Sequence, residues 1–284
     1  MNAQSGETLL EVSPDEFERT VDDLERDGFL LMMIKPADAP REALLSRDRV
    51  ILRLRIGSKF QVPSSKLEAY RTNLEPGTLN FELTRDSEWS AGRAGMMYRD
   101  LIPGRLGGRV IASHIRITEG GPVADRVHYH KIDFQVIYCL KGAIRVVYES
   151  QGEPFWLRPG DCVLQPPEIR HRVLDAEAGS EVIELTSPAE HETWFDHEMQ
   201  LPNAVVIPDR TFGERRFVLH TTTDSEWKSS AFDGTLVSDT KIPGVRTLKM
   251  VGDSKDLVKI TQEMSPELLV LIDGTGIAAN LGEF

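Results

Sequence analysis

Between Val110 and Leu185 the chain is cut into short apolar segments separated by glycine or proline, and this spacing limits the available folds more than any other feature. Val110 to Ile117, Phe134 to Cys139, Ala143 to Tyr148, Cys162 to Gln165 and Glu181 to Leu185 are rich in β-branched and aromatic residues, which fit a pleated, half-buried surface. Short strands at such spacing predict an all-β sandwich or barrel. Upstream, Val50, Leu52, Leu54 and Ile56 alternate with partners that include Arg53 and Arg55, so a further strand is expected over residues 50–56. Before it the period is 3.6, and Phe17, Val21 and Leu24 share one face of a predicted helix over 14–27. Ser13 is its N-cap, Pro14 its first residue, Glu16 completes a capping box and Gly28 stops it. Val12 is placed to staple onto Phe17, so this helix is expected to dock.

Composition removes several classes of function. The 33 Lys and Arg stand against 45 Asp and Glu, a formal charge of -12 that repels a phosphate backbone, and no local basic stripe offsets it. No nucleic-acid partner is expected. The longest apolar runs, Phe29 to Ile34 and Leu268 to Ile272, fall far short of the roughly 20 residues that span a bilayer. Acidic residues crowd the first thirty positions where a leader needs a basic start, so a cytoplasmic address is the expectation. Cys139 and Cys162 are too few for a disulfide framework and read as small buried hydrophobes.

The 284 residues suit about two domains, and an internal repeat agrees. Asp86-Ser87-Glu88-Trp89 recurs as Asp224-Ser225-Glu226-Trp227. Each copy continues through a glycine (Gly95, Gly234) and an aspartate (Asp100, Asp239) to the tripeptide Ile102-Pro103-Gly104 or Ile242-Pro243-Gly244. The expected organisation is an N-terminal extension over 1–74, a barrel over 75–197, and a linker with an incomplete second copy over 198–284.

Chemistry concentrates around His128, His130 and His171. A strand puts residues i and i+2 on one face, so His128 and His130 present two imidazoles side by side while Tyr129 points away. A turn is expected to return Gln135 to that same face from the next strand. Past the Pro159-Gly160-Asp161 turn, a separate strand brings His171.

These residues resemble the cupin superfamily, whose motifs are G(x)5HxH(x)3-4E(x)6G and G(x)5PxG(x)2H(x)3N. His128, His130, Gly142, Gly160, Pro166 and His171 hold the motif intervals. Gly121 lies one residue too early, Gln135 replaces the glutamate, Glu168 replaces the second motif's inner glycine and Asp175 its closing asparagine. Glu168 implies a turn with no need of a left-handed residue. The resemblance implies a jelly-roll-like antiparallel β-barrel with an N-terminal helical extension and a partial second cupin. It also implies one divalent transition metal (iron, nickel, manganese or zinc among the candidates) held by His128, His130, His171 and Gln135, the last either as a ligand or through a bound water. Without metal, the histidines of such a barrel would serve as bases.

Replacing Glu by Gln removes a proton acceptor and leaves the centre one unit more positive, so an already anionic, chelating small molecule is the expected substrate. A dioxygenase-like oxidoreductase is the leading expectation. A non-catalytic ligand-binding or sensory cupin and a metal-dependent isomerase or lyase are the alternatives. His114 and Arg116 share a strand face and are candidate substrate-binding residues if that face turns inward, although Ile111, Ile115 and Ile117 mark the opposite face as the core side. Arg126, Arg170 and Arg172 flank the motifs. The run His191 to His197 is no zincin helix, because its histidines are six apart, and Gly104 to Arg109 lacks the ending of a phosphate loop and reads as a turn.

In the second copy the histidine positions fall on Ile260 and Gln262, with Glu267 and Gly274 keeping the tail of the motif, so no metal is expected there. After a hairpin near Asn280 to Gly282 a full cupin would need about 30 more residues on the family pattern. Either the chain is truncated or the partial sheet packs on the first barrel or on another subunit, since open edges invite association. A homodimer is the natural expectation.

Overall fold

The computed structural model of the protein describes residues 7–57, 89–102, 104–229, 235–243, 245–250, 268–272 and 275–279. The N-terminal part contains β1 (Glu7–Val12), α1 (Pro14–Arg26), β2 (Leu30–Lys35), β3 (Glu42–Arg47) and β4 (Val50–Ile56). The capping box forms as its residue types dictate: the Ser13 amide donates to the Glu16 carboxylate at 3.2 Å. Phe17 and Val21 of α1 are buried against Phe29, Leu31, Ile34, Leu45 and Leu54. Each such side chain contributes about 1.5–3 kcal/mol through burial, which is what fixes the helix on the sheet.

The central part comprises β5 (Ser90–Ala91), β6 (Met97–Asp100), the one-turn α2 (Arg105–Gly108), β7 (Ile111–Ile117), β8 (Gly121–Pro122) and β9 (His128–Lys131). It continues with β10 (Phe134–Lys141), β11 (Ile144–Tyr148), β12 (Phe155–Leu157), β13 (Cys162–Gln165), β14 (His171–Ala176), β15 (Ser180–Ser187) and β16 (Glu192–Phe195). After these come the short ribbon β17 (Thr211–Phe212) and β18 (Arg215–Arg216), then β19 (Val218–His220). One sheet runs β1-β4-β3-β2-β16-β9-β14-β11-β12, with β8 added beside β14; the other runs β19-β13-β10-β15-β7-β6-β5. Apart from the parallel β1–β4 pair, the described pairings are antiparallel.

The interior lies between these two sheets. Ile115, Ile117, Cys139, Val163 and Val182 meet Ile144, Val146, Tyr148 and Ile169 there. Alternate residues of the seven-stranded sheet, among them Ala112, Phe134, Val136, Tyr138, Ile183 and Leu185, form a second apolar layer on its outer face. The strand period of two thus serves two cores at once.

The turn before β14 corrects one expectation. Glu168 adopts φ +60, so the position does require a left-handed residue. Its amide donates to the His130 carbonyl at 3.0 Å, and that bond holds a conformation costing a non-glycine residue roughly 1–2 kcal/mol.

The C-terminal part holds β20 (Trp227–Ser229), β21 (Thr235–Asp239), β22 (Val245–Met250), β23 (Leu268–Ile272) and β24 (Thr275–Ala279), ordered β20-β21-β22-β24-β23. Its β20-β21-β22 ladder has the strand order of β5-β6-β7. The turns match as well: the Ile102 amide donates to Asp100 Oδ1 at 3.0 Å, and the Ile242 amide to Thr240 Oγ1 at 3.1 Å. Both isoleucines enter the outer apolar layer, so this segment packs on the first barrel.

Asp86 to Glu88, Pro103, Gly234, Gly244, Ile260, Gln262, Glu267, Gly274 and the expected hairpin at 280–282 lie outside the described residues, as does the boundary expected near 74. Sheet pairing crosses the expected boundary near 197, because β19 pairs with β13. Among the described residues no helix is long and apolar enough to cross a membrane. Ile242 is 1% exposed, so Ile242→Ala is expected to destabilise the protein by about 2–4 kcal/mol in urea melts. Metal stoichiometry of the refolded variant should not change.

Candidate metal centre

Register brings the three histidines together. His128 pairs directly with His171 across β9 and β14, and His130 follows two residues along the same face. One ring nitrogen of each lies within 4.8 Å of the others, and the ring centroids are 4.2 to 5.1 Å apart. All three are buried.

Their tautomers follow from their partners. His128 Nδ1 is 2.7 Å from the Arg126 carbonyl and His171 Nδ1 is 3.0 Å from the Ile169 carbonyl. A carbonyl only accepts, so each Nδ1 carries the proton and each Nε2 keeps a free lone pair. His130 Nδ1 lies 2.8 Å from Thr193 Oγ1, which permits the same tautomer. His128 Nε2 is buried with no hydrogen-bond partner, a state that costs about 1–3 kcal/mol unless something binds it. Burial and neighbouring positive charge hold His128 and His130 well below the usual imidazole range, and burial takes His171 down to about 3. Three neutral imidazoles, each fixed through its far nitrogen, fit a divalent transition metal.

Gln135 reaches the interior by a route other than the expected one. After β9 the chain crosses to the facing sheet, so Gln135 looks inward from β10, in alternation with the interior residues Ile137 and Cys139. It pairs with Gln165 on one side and Thr186 on the other. Gln165 Nε2 donates to Gln135 Oε1 at 2.6 Å, Gln135 Nε2 donates to Thr186 Oγ1 at 3.0 Å, and the Thr186 hydroxyl points to Glu184 Oε1 at 3.4 Å. The chain of amides therefore ends on a carboxyl. Burial pushes the Glu184 pKa up, while Arg93 and the Gln135 amide oppose that rise.

His114 and Arg116 are not brought to the histidine group. Ile115 and Ile117 take the interior face of β7, so alternation puts His114 and Arg116 outside. There His114 Nε2 meets Glu181 at 2.7 Å and Nδ1 meets Arg99 at 2.8 Å, while Arg116 bonds Glu181 at 3.1 Å and covers the Trp89 ring. Arg126 is paired with Glu25 of α1, Arg170 with Asp196, and Arg172 lies on the face of β14 opposite His171.

Sequence reasoning passed over Glu184, Thr193 and Arg93. The single charge between Ile183 and Leu185 was a legible signal for Glu184, and Thr193 sat in a stretch dismissed only as a zincin. Arg93, on the turn between β5 and β6, carries no sequence signal. Its Nη1 is bonded to Asp125 Oδ1 and lies 3.3 Å from His128 Nδ1.

Residues 113–186 match the family model of the cupin domain, and the antiparallel barrel they form has the jelly-roll cupin fold. Among solved structures the chain is similar to KdgF from Halomonas sp. at 25% identity, over 39% of this chain and 94% of that one, with a TM-score of 0.32. It is similar to an RmlC-like cupin from Shewanella frigidimarina at 24% identity, over 39% and 93% of the two chains, with a TM-score of 0.32. Oxalate decarboxylase from Bacillus subtilis overlaps 61% of this chain and 57% of its own length at 14% identity, with a TM-score of 0.41. No curated protein sequence matches the chain.

Two outcomes are expected. Elemental analysis should find about one metal per chain in the wild type and almost none in His128→Ala, since two remaining imidazoles hold a divalent ion poorly. In the metal-free protein the unfolded chain binds more protons than the folded one below the ordinary imidazole value of 6.5, because His171 titrates only near 3 when folded. Stability should therefore fall as pH drops through that window; urea melts that stay flat across it would contradict the assignment of neutral histidines.

Proposed function

We propose that this cupin barrel is a mononuclear metal enzyme for a small anionic organic substrate, with dioxygenase-like oxidoreductase chemistry. The observation that carries the reading is the convergence of three imidazoles whose rings are locked through Nδ1. Three protein ligands with positions left open are the pattern of a catalytic site. A divalent transition ion held by His128, His130 and His171 would supply chelation, Lewis acidity and redox capacity.

The chain's own residues supply the rest. Gln135 cannot take a proton, and its oxygen is engaged by Gln165, so its part is to orient polar groups in the interior and not to neutralise charge. Glu184 has the proton-accepting atom that Gln135 lacks, and burial moves its carboxyl toward the range of a general base. Tyr148, stacked 5.4 Å from His171, and Phe195, 6.3 Å from His128, wall the histidines with apolar rings and keep water out.

That same carboxyl favours a second reading, a metal-assisted isomerase or lyase, in which proton transfer by Glu184 is the principal step. Oxygen dependence separates the two. Protein reconstituted with iron, nickel or manganese and offered catecholate, diketone or quercetin-type probes should consume O2 under the first reading. Turnover that is indifferent to oxygen establishes the second, and metal-loaded protein that binds probes without product rejects both. Glu184→Gln is expected to keep its metal and to lose about 10²- to 10⁴-fold in kcat, the usual contribution of a positioned acid or base.

A further inference from the structure

His191 lies beside the histidine group without belonging to it. It stands immediately before β16, and strand alternation puts it in one inward row with Thr193 and Phe195, the residues that pair with His130 and His128. All three members of that row are buried. His191 therefore sits one step past His130 toward the end of the barrel, its ring 5.3 Å from the His130 ring and nearly perpendicular to it. It falls outside the set of ring nitrogens that lie within 4.8 Å of one another, so its free atom is left for what binds at the ion and not for the ion itself.

The partner of its far nitrogen fixes what that atom is. His191 Nδ1 lies 3.2 Å from the Pro188 carbonyl, which only accepts, so Nδ1 carries the proton and Nε2 keeps a lone pair. Nε2 is buried with no hydrogen-bond partner, and so forfeits the bond it would make in water. Arg105, whose charge acts on His191, is committed elsewhere: its Nη2 donates to Asp38 at 2.6 Å and its Nε to Asp100 at 2.8 Å. The facing wall repeats the pattern, for Gln165 gives its Nε2 to Gln135 and its own Oε1 is buried with no donor. A cleft of about 370 Å³ lies against the turn that anchors His191, lined by Gly107, Gly108, Asp133, Phe134 and Pro188. It gives a small molecule room at that end.

We infer that His191 is a specificity-determining residue whose Nε2 accepts a hydrogen bond from a hydroxyl of the substrate, which makes the substrate class a small hydroxy acid with its carboxylate at the metal and its hydroxyl toward the barrel end. This rests on the metal-centre reading above and deepens it. A divalent ion on one side and Arg105 on the other repel an ammonium, so the donor that suits Nε2 is a neutral hydroxyl. An acid lacking that hydroxyl leaves the buried nitrogen unpaired in the complex, which is how such a site discriminates against it.

The test is calorimetric titration of zinc-loaded protein with two pairs of acids, propionate with 3-hydroxypropionate and butyrate with 4-hydroxybutyrate, alongside metal analysis of every sample. The wild type should bind at least one hydroxy acid about 10-fold more tightly than its parent. In His191→Asn the amide nitrogen replaces Nδ1 and keeps the bond to Pro188, but no atom stands at the Nε2 position. This variant should retain about one metal per chain, bind the parent acids as before and lose the preference. His191→Gln, whose amide oxygen reaches the Nε2 position, should recover part of it. Nitrogen-15 spectra of the zinc-loaded wild type need no variant and decide the matter if His191→Asn does not fold: the His191 Nε2 resonance should move with the hydroxy acid and stay in place with its parent. No hydroxyl preference in the metal-loaded wild type, a preference that survives in His191→Asn, or an Nε2 resonance that ignores the hydroxy acid overturns the inference. Loss of metal in His191→Asn overturns it as well and makes His191 a support for His130. Absence of metal from the wild type instead removes the underlying metal-centre reading.

Discussion

The pairing of His128 with His171 across β9 and β14 is the constraint on which the site depends. Antiparallel register is discrete: a one-residue slip would turn His128 and His130 outward and replace them with Val127 and Tyr129. The same register places Thr193 beside His130 and Phe195 beside His128 from β16. One hydrogen-bond ladder thus places the ligand atoms, the hydroxyl partner of the middle imidazole and part of the apolar wall together.

That arrangement is costly without a guest. Three imidazoles buried side by side must stay neutral, and a bare Nε2 inside the barrel forfeits the hydrogen bond it would make in water. The surroundings compensate unevenly. Backbone carbonyls take up the Nδ1 protons of His128 and His171, but the near side of the group offers no such partner to His128. Across the interior the polar residues are amides and hydroxyls, with Glu184 as the carboxyl at the end of their chain. This opposite wall presents hydrogen-bonding groups while adding little negative charge.

The flanking parts act as supports for this barrel. The N-terminal strands prolong the histidine-bearing sheet through β2 and β16, and α1 covers the extension through Phe17 and Val21. On the other side, the β20–β24 segment closes the outer apolar layer of the seven-stranded sheet with Ile242 and Val245. Both histidine neighbours and outer layer therefore rest on segments that lie beyond the family motif, whose match ends at residue 186.

Much of this was legible in the sequence, because local chemistry acts over short distances. Ser13, Pro14 and Glu16 define a helix start by themselves, period-two patterning marks strands such as Val50–Ile56, and His128, His130 and His171 stand at intervals that only a strand pair makes meaningful. The assignment of each strand to a sheet was not legible. Residues four or five apart in sequence entered facing sheets, so Gln135 came to look inward from β10 and paired with Gln165. The left-handed Glu168 was hidden because a bond to the His130 carbonyl, made across the fold, decides its backbone. Arg93 and Glu184 became site residues only when the two sheets closed. The sequence by itself determined which residues could ligate a metal and which faces of the strands were apolar. Tertiary structure decided which polar groups share the interior, because that depends on long-range pairing between strands that no local pattern encodes.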